Sequence, residues 1–278
     1  MICNPSVSVV MPVYNASPFL KKAIKSILNQ TLATFEFIII NDASTDNSEK
    51  IISSFNDERI VYYKHNNNKG VVAAMNKGVD LARTPYIAVM HADDIALQGR
   101  LEKQLKLLEQ HLLTAVVAGK SIFIDEEDKE IGSVWKVDDI TNTSKEIRKE
   151  MIWQNCISHP TVMMRTSIAK QYQYKSSPKL DGFAVEDYPL WLHVLADGYL
   201  IEKLPEPVLL YRQHASSATG AHLRKRNPFL VNYYSKQFYL EERKRLNKFS
   251  SFDRKVQLTM YLDYIKATLK DIKKRLTT

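Results

Sequence analysis

Over the first 115 residues, short apolar runs rich in β-branched residues alternate with stretches whose apolar residues recur at helical spacing. Val7 to Val13, Phe35 to Ile40, Ile60 to Tyr63 and Tyr86 to Met90 read as strands. Behind Ser17-Pro18, a cap with Pro at the first helical position, Leu20, Ala23, Ile24, Ile27 and Leu28 share one helical face. A helix through Ile51 and Ile52 follows, then one over Gly70 to Ala82 and one marked by Leu101, Leu105, Leu108 and Leu112. Such alternation hides its apolar strands by forming a parallel sheet with helices on both faces, an α/β fold of Rossmann-like type.

The second half is less regular. Val116 to Ile124 and Ser133 to Val137 read as strands around the charged turn Asp125 to Glu130. Ser144 to Trp153 reads as helix, His159 to Met164 as strand, Asp187 to Ala196 as helix with Trp191 in the core, and Val208 to Tyr211 as a short strand. From about Leu223 the pattern is helical, and Ser250 with Asp253 makes a capping box. Leu258, Tyr261, Leu262, Ile265, Leu269, Ile272 and Leu276 then form an apolar stripe, suited to packing on the main domain or to pairing two copies. This divides the chain into a main domain over 1–221, regular to about 115 and less regular over 116–221, and a basic helical region over 222–278.

Composition narrows the setting. With 278 residues and 45% hydrophobic content the chain can bury a sizeable core. No run of about 18 apolar residues is present, so no membrane-spanning helix is expected. The N-terminus lacks a basic leader and is expected to be a strand rather than a signal peptide. Cys3 and Cys156 make neither a disulfide framework nor a metal-type spacing; they read as small buried hydrophobes in a reducing cytoplasm. The net charge of +8 is concentrated at one end: Gly220 to Thr278 holds 15 Lys/Arg against 5 Asp/Glu. That asymmetry suggests an anionic partner (a membrane surface, nucleic acid or an anionic substrate) or a solvated helical face.

Ligands of open α/β sheets bind beyond the carboxyl ends of the strands. Three polar clusters fall there: Pro12-Val13-Tyr14-Asn15, Asn41-Asp42-Ala43-Ser44 and His91-Ala92-Asp93-Asp94. Asp93 and Asp94 repel each other unless a cation or donor intervenes. A hard divalent ion takes one or two carboxylates plus diphosphate oxygens. An isolated Asp-Asp would read as a solvated turn capping the next helix, but the companion clusters favour the metal. Asp42 could accept a base N–H or ribose hydroxyl, or cap a helix starting near Thr45. Asn15 reads as a ligand contact or an Asx-turn.

This ordered set resembles the family 2 glycosyltransferases of GT-A fold, over roughly residues 5 to 215. Val7 to Asn15 is similar to the family's opening strand, Ile38 to Ser48 to its Asp-Asp-Gly-Ser-Thr-Asp segment, and Asn68-Lys69-Gly70 through Asn76-Lys77-Gly78 to its Asn-x-Gly helix. Ala92-Asp93-Asp94 matches its DXD-type metal motif. The resemblance implies that Pro12, Tyr14, Asn15, Asp42, Lys69 and Asn76 serve the nucleotide, with His91 lining the diphosphate site. It puts Asp93 on the ribose or the metal's water shell and Asp94 on Mn²⁺ or Mg²⁺. The sequence departs from the pattern at Asn41, Ala43, Met75 and His91, where the family often has Asp, Gly, Arg and Asp.

The resemblance also assigns the general base of an inverting transfer to Asp187, with Glu186 orienting the acceptor or the base, although two acids at a helix N-terminus also serve as caps. Tyr211-Arg212-Gln213-His214 is similar to a Tyr-Arg-x-His segment, so Arg212 would meet the diphosphate and His214 the metal. His159-Pro160-Thr161 and Arg165 would frame the acceptor pocket. The implied activity moves one sugar from a nucleotide diphosphate sugar, UDP-sugar first, to a glycan or lipid-linked acceptor in surface polysaccharide synthesis. Absence of a Gln-x-x-Arg-Trp motif argues against a processive synthase. The acceptor class points the basic helices to the inner face of the plasma membrane rather than to nucleic acid. A nucleotidyltransferase, or a non-catalytic glycan binder on a similar sheet, is the alternative. The former would need a Gly-rich basic phosphate loop that the early sequence lacks.

Overall fold

The computed structural model describes residues 5–132, 135–180, 186–215, 217 and 227–277. Its first half follows the alternation in the sequence: β1 (Val7–Val13), α1 (Ser17–Leu28), β2 (Phe35–Asn41), α2 (Ser48–Ser53), β3 (Ile60–Lys64), α3 (Gly70–Leu81), β4 (Tyr86–Val89), β5 (Ile95–Ala96) and α4 (Arg100–Gln110). Then come β6 (Thr114–Ile124), α5 (Ser144–Met151), β7 (Met163–Arg165), α6 (Thr166–Tyr172), α7 (Asp187–Ala196), β8 (Leu200–Arg212), α8 (Pro228–Arg245) and α9 (Ser251–Thr277).

The strands form one sheet in the order β3-β2-β1-β4-β7-β6-β8-β5. β1 to β4 are mutually parallel, β6 and β8 run with them, and β7 and β5 run against their neighbours. The pleat sorts side chains to two faces. Val10, Ile38, Ile40 and Val89 pack with α3, α7 and the C-terminal helices; Val9, Met11, Phe37 and Ile39 pack with α1 and α4. In register, Val13 stands beside Asn41, so the polar segments that follow β1 and β2 emerge together at one edge.

Several expectations change. Lys136–Asp139 is a 3-10 turn where a strand over 133–137 was expected, and residues 133 and 134 lie outside those described. His159–Thr161 is likewise a 3-10 turn, closed by a Thr161 N–H bond to Ser158 O at 3.0 Å. β8 is 13 residues long rather than a short strand; Pro205 and Pro207 interrupt its apolar run, and its pairing with β6 is irregular there. Leu112 falls beyond the end of α4 and is exposed. Cys156 is a buried free thiol, pushed up to about 12 by burial, whereas Cys3 lies outside the described residues.

The largest change concerns α9. Its packed face is Phe252, Asp253, Val256, Thr259, Met260, Asp263 and Ala267, all buried. The apolar stripe seen in the sequence points the other way: Leu258 and Leu269 are 64% and 61% exposed, with Tyr261, Ile265 and Ile272 about half exposed. The Leu276 side chain lies outside the description. Buried ion pairs hold the packed face. Lys236 of α8 bonds Asp263 at 2.6 Å and the carbonyl of Trp153 at 2.9 Å, while Arg243 pairs with Asp253 and Asp197. α8 in turn grips α7: Glu242 meets His193 at 3.3 Å, and the rings of Tyr239 and His193 stand edge to face at 4.8 Å. The capping box of Ser250 and Asp253 is present.

Gly78 sets the approach of α3 to β1. A Cβ built there would lie 2.2 Å from Val10 Cγ1. Overpacking a rigid core costs roughly 1–3 kcal/mol. We therefore expect Gly78→Ala to lower unfolding free energy by about that amount in a urea titration; wild-type stability would show that the helix can step back freely.

Candidate active site

Three loops meet at the carboxyl edge. Tyr14 is half exposed beyond β1. Asn15, at φ +50°, spends its carbonyl oxygen on the Thr45 N–H at 2.8 Å, so it holds the β2–α2 loop beside β1 as an Asx-type bridge. Ala43 takes φ +58°, the left-handed conformation for which the family's glycine is suited. Asp42 is buried and accepts from the backbone N–H groups of Lys69 at 2.9 Å and Gly70 at 2.8 Å, and it contacts His65 Nδ1 at 2.7 Å. A carboxylate has about four acceptor positions, so about one stays available to a nucleotide. The helix after it begins at Ser48, and no side chain of Asp42 caps it. Lys69 stands exposed at the N-terminus of α3. Asn76 has a different task from the expected nucleotide contact: its amide is engaged at both ends by the backbone of Tyr174, at 2.9 and 2.8 Å.

The turn after β4 holds the acids. Asp94 is 1% exposed; its Oδ1 accepts the Arg212 N–H at 2.8 Å, and its Oδ2 is buried without a hydrogen-bond partner. Burial, and then the charge of Asp93, hold Asp94 well above the usual carboxylate range. For Asp93, burial is the largest influence, but the hydrogen bond from His214 and the nearby His91 and His214 together outweigh it, and the group stays below its ordinary value. His214 Nε2 lies 3.0 Å from Asp93 Oδ2, and its ring leans on Phe19 at 4.7 Å. His214 thus orients Asp93 here. Arg212, expected on the diphosphate, is buried and committed elsewhere: Nε to the Asp93 carbonyl at 2.8 Å, Nη1 to the Asp125 carbonyl at 2.6 Å, and Nη2 to Asp128 at 2.5 Å. It fixes the turn from behind.

These residues fit a divalent ion. His91, Asp93 and Asp94 can each offer one ligand atom, all within 4.8 Å of one another. His91 Nδ1 lies 3.9 Å from Asp94 Oδ2, too far for a hydrogen bond and suitable for two ligands of one ion at bonds of about 2.1 Å. The orphaned Asp94 oxygen is the observation that calls for a cation.

The second acidic pair opens α7. Both Glu186 and Asp187 are buried. Burial and the adjacent Asp187 charge push Glu186 up to about 8, and its Oε2 has no partner. Burial raises Asp187 to about 6, restrained by hydrogen bonds from Asn155 Nδ2 at 2.8 Å and the Trp191 indole at 3.3 Å. Side chains bridge the two acidic sites. His91 Nε2 lies 3.1 Å from His159 Nδ1, and His159 Nε2 lies 3.0 Å from the Tyr174 hydroxyl. The His159 ring also lies 6.3 Å from that of Trp191. Arg165, by contrast, braces the backbone carbonyls of Leu108 in α4, His111 after it and Thr114 at the start of β6. His159 is buried and held well below its ordinary value by burial and by His91, so the bridge is neutral. Asn155, Tyr174 and the buried Arg100 behind Asp94 were not legible as site residues, since each sits in an irregular or ordinary helical stretch. Only the acid-rich strand ends carry a local signal.

A mostly parallel sheet with a cation-seeking acid turn at its carboxyl edge and a buried carboxylate pair beside it is the architecture of GT-A glycosyltransferases. Comparison with known proteins agrees. The model of glycosyl transferase family 2 matches residues 8–173, and the chain belongs to that family. An uncharacterised glycosyltransferase of Methanocaldococcus jannaschii is 34% identical, over 87% of this chain and 81% of that protein. A UDP-Glc:alpha-D-GlcNAc-diphosphoundecaprenol beta-1,3-glucosyltransferase of Escherichia coli is 27% identical, over 77% of this chain and 80% of its own. Among solved structures, a mannosyltransferase from Pyrobaculum calidifontis in complex with GDP-Man and Mn²⁺ superposes with a TM-score of 0.65 at 15% identity, over 96% of this chain and 76% of that one. S. aureus TarS with UDP-GlcNAc gives a TM-score of 0.63 at 15% identity, over 85% and 66%. Among the described residues no helix is long and apolar enough to cross a membrane.

Glu186 yields a test of the buried pair. Its folded value, about 8, lies above the ordinary 4.5, so the folded state binds more protons between those limits and loses stability as pH rises through them. Glu186→Gln removes this loss. We expect the variant to gain on wild type by on the order of 5 kcal/mol from acid to alkaline pH in urea unfolding; a pH-independent difference would place Glu186 in solvent.

Proposed function

We propose that this protein transfers one hexosyl unit, with inversion, from a nucleotide diphosphate sugar to a hydroxyl of a glycan or lipid-linked acceptor in cell-surface polysaccharide synthesis. The observation that carries the reading is the pairing of an unsatisfied buried acid at the β4 edge with a second, desolvated acid pair joined to it through His159 and Trp191. UDP is the favoured donor nucleotide, in keeping with the donors of the Escherichia coli relative and the TarS complex. Pro12, Tyr14 and Asp42 border the nucleotide, and Lys69 and the free end of α3 face its phosphates. Asp94, His91 and Asp93 would hold Mn²⁺ or Mg²⁺, which supplies charge neutralisation for the departing diphosphate.

Asp187 takes the proton of the acceptor hydroxyl. The acceptor oxygen bonds to the anomeric carbon as the bond from that carbon to the diphosphate breaks, and nucleoside diphosphate leaves. At about 6, Asp187 is ionised at neutral pH yet still basic enough to receive a proton. Asn155 and Trp191 keep one of its oxygens fixed. Glu186, neutral at pH 7, can donate a hydrogen bond to the acceptor rather than repel Asp187. A lipid-linked acceptor would bring the enzyme to the inner face of the plasma membrane.

Asp187→Asn should lower kcat by roughly 10²–10⁴ while leaving donor affinity intact. Wild-type kcat/KM should climb as pH passes about 6, a limb that the variant lacks. Asp94→Asn should abolish the gain in thermal stability that Mn²⁺ gives with a nucleotide sugar. Nucleoside diphosphate release is the expected product; pyrophosphate release, or normal turnover by both variants, would overturn the assignment.

A further inference from the structure

A cavity of about 180 Å³ lies between α5 and the start of α9, lined by Lys145, Arg148, Lys149, Ile152, Phe252 and Lys255. At about 30 Å³ per water it has room for a phosphodiester group. Four cations converge there. Arg148 lies over the Phe252 ring at 4.5 Å and bonds the Leu195 carbonyl, which fixes it in the wall. Among the described residues, Lys145, Lys149 and Lys255 make no ion pair. The acids of α5 are engaged elsewhere: Glu146 closes the Thr143 capping box, and Glu150 meets Gln154 at 2.7 Å. Like charges so gathered favour an anion between them.

Lys255 belongs to this cavity and also to the edge of the outward stripe of α9, a turn before Leu258. Lys266 continues that edge, over the half-exposed Trp153 at 5.8 Å. From Leu258 to Ile272 the stripe extends about 21 Å. It therefore combines an apolar ridge, a basic flank and an aromatic side chain of the kind found at bilayer interfaces. The acids of α9 are turned away: Asp253 and Asp263 are buried in ion pairs, and Asp271 lies on Asn227 at 3.1 Å. The ridge of a second copy's α9 would offer Lys255 and Lys266 no carboxylate, although Leu258, Leu262, Ile265, Leu269 and Ile272 recur at coiled-coil spacing. An anionic bilayer supplies what both the ridge and the flank lack.

We propose that the outer face of α9 and the cationic cavity it shares with α5 form a docking surface for a bilayer rich in anionic phospholipid, one phosphate headgroup entering the cavity. The inference deepens the membrane part of the proposed function and rests on it, not on the sugar transfer.

The test is co-sedimentation of the whole protein with phosphatidylcholine vesicles, with and without phosphatidylglycerol, at low and high salt. Wild type should prefer phosphatidylglycerol and release at high salt. At about fivefold per lost charge, Lys149→Gln/Lys255→Gln should bind roughly 25-fold more weakly. Ile265→Asp/Leu269→Asp, at exposed positions that leave the core untouched, should bind at least several-fold more weakly with unchanged thermal stability. Equal binding to both vesicles, or wild-type binding by both variants, overturns the proposal. So does a wild-type dimer, seen by light scattering, that the Asp variant dissolves, because the ridge then belongs to a second copy. Millimolar inorganic phosphate binding the cavity without vesicle binding would assign it to free phosphate instead. Mn²⁺-dependent donor binding, measured on the same proteins, should be unaffected; its absence from wild type alongside normal vesicle binding would sink the transferase reading and leave this surface standing.

Discussion

Asp94 is the constraint around which the molecule is arranged. Its carboxylate is enclosed, one oxygen tied to the backbone of Arg212 and the other left with nothing to accept. An ionised group so placed is costly unless a cation approaches. Everything nearby keeps the place open for one. Arg212 fastens the turn to the segment after β6 through carbonyls and Asp128, so that its charge is spent away from Asp94. His214 restrains Asp93, and the neutral pair of His91 and His159 fills the remaining side. These contacts set the acids in place from the protein's own side, and preorganised charge is where electrostatic catalysis draws its strength.

The first half of the fold was legible because two simple periods rule it. Burial on both faces of β1 and β2 leaves near-continuous apolar runs, and helical spacing in α1 and α3 leaves apolar residues at recurring positions. β8 hid behind Pro205, Pro207 and alternating charges, which look like a loop and become a strand only because β6 supplies a long irregular partner. α9 misled for a related reason. Periodicity finds carbon, whereas the packed face of this helix is fixed partly by Asp253, Thr259 and Asp263, whose partners on α8 and after α5 lie far away in the chain.

The site shows the same division. Strand-end motifs drew the eye to residues that the fold gathers at one edge of the sheet, since acids and asparagines after apolar strands need a local reason. Motifs did not distinguish a residue that faces a ligand from one that positions it. Asn76, Asn15 and Arg212 all lie where the resemblance puts them, yet their polar atoms are engaged with protein. Asn155 and Tyr174 carry no motif at all, and their contribution exists only once loops from different parts of the chain are brought together.

The grip of α8 on α7 bears on how such enzymes can be recombined. The helix that begins with Asp187 ends against His193, Asp197 and their partners Glu242 and Arg243. An exchange of the second half of the main domain between relatives that cuts after β8 would sever those charges from their counterparts and leave the Asp187 helix without its rear support. A junction that carries α7, α8 and α9 as one cassette respects the actual joint, and moves the Glu186–Asp187 pair and the outward ridge of α9 together.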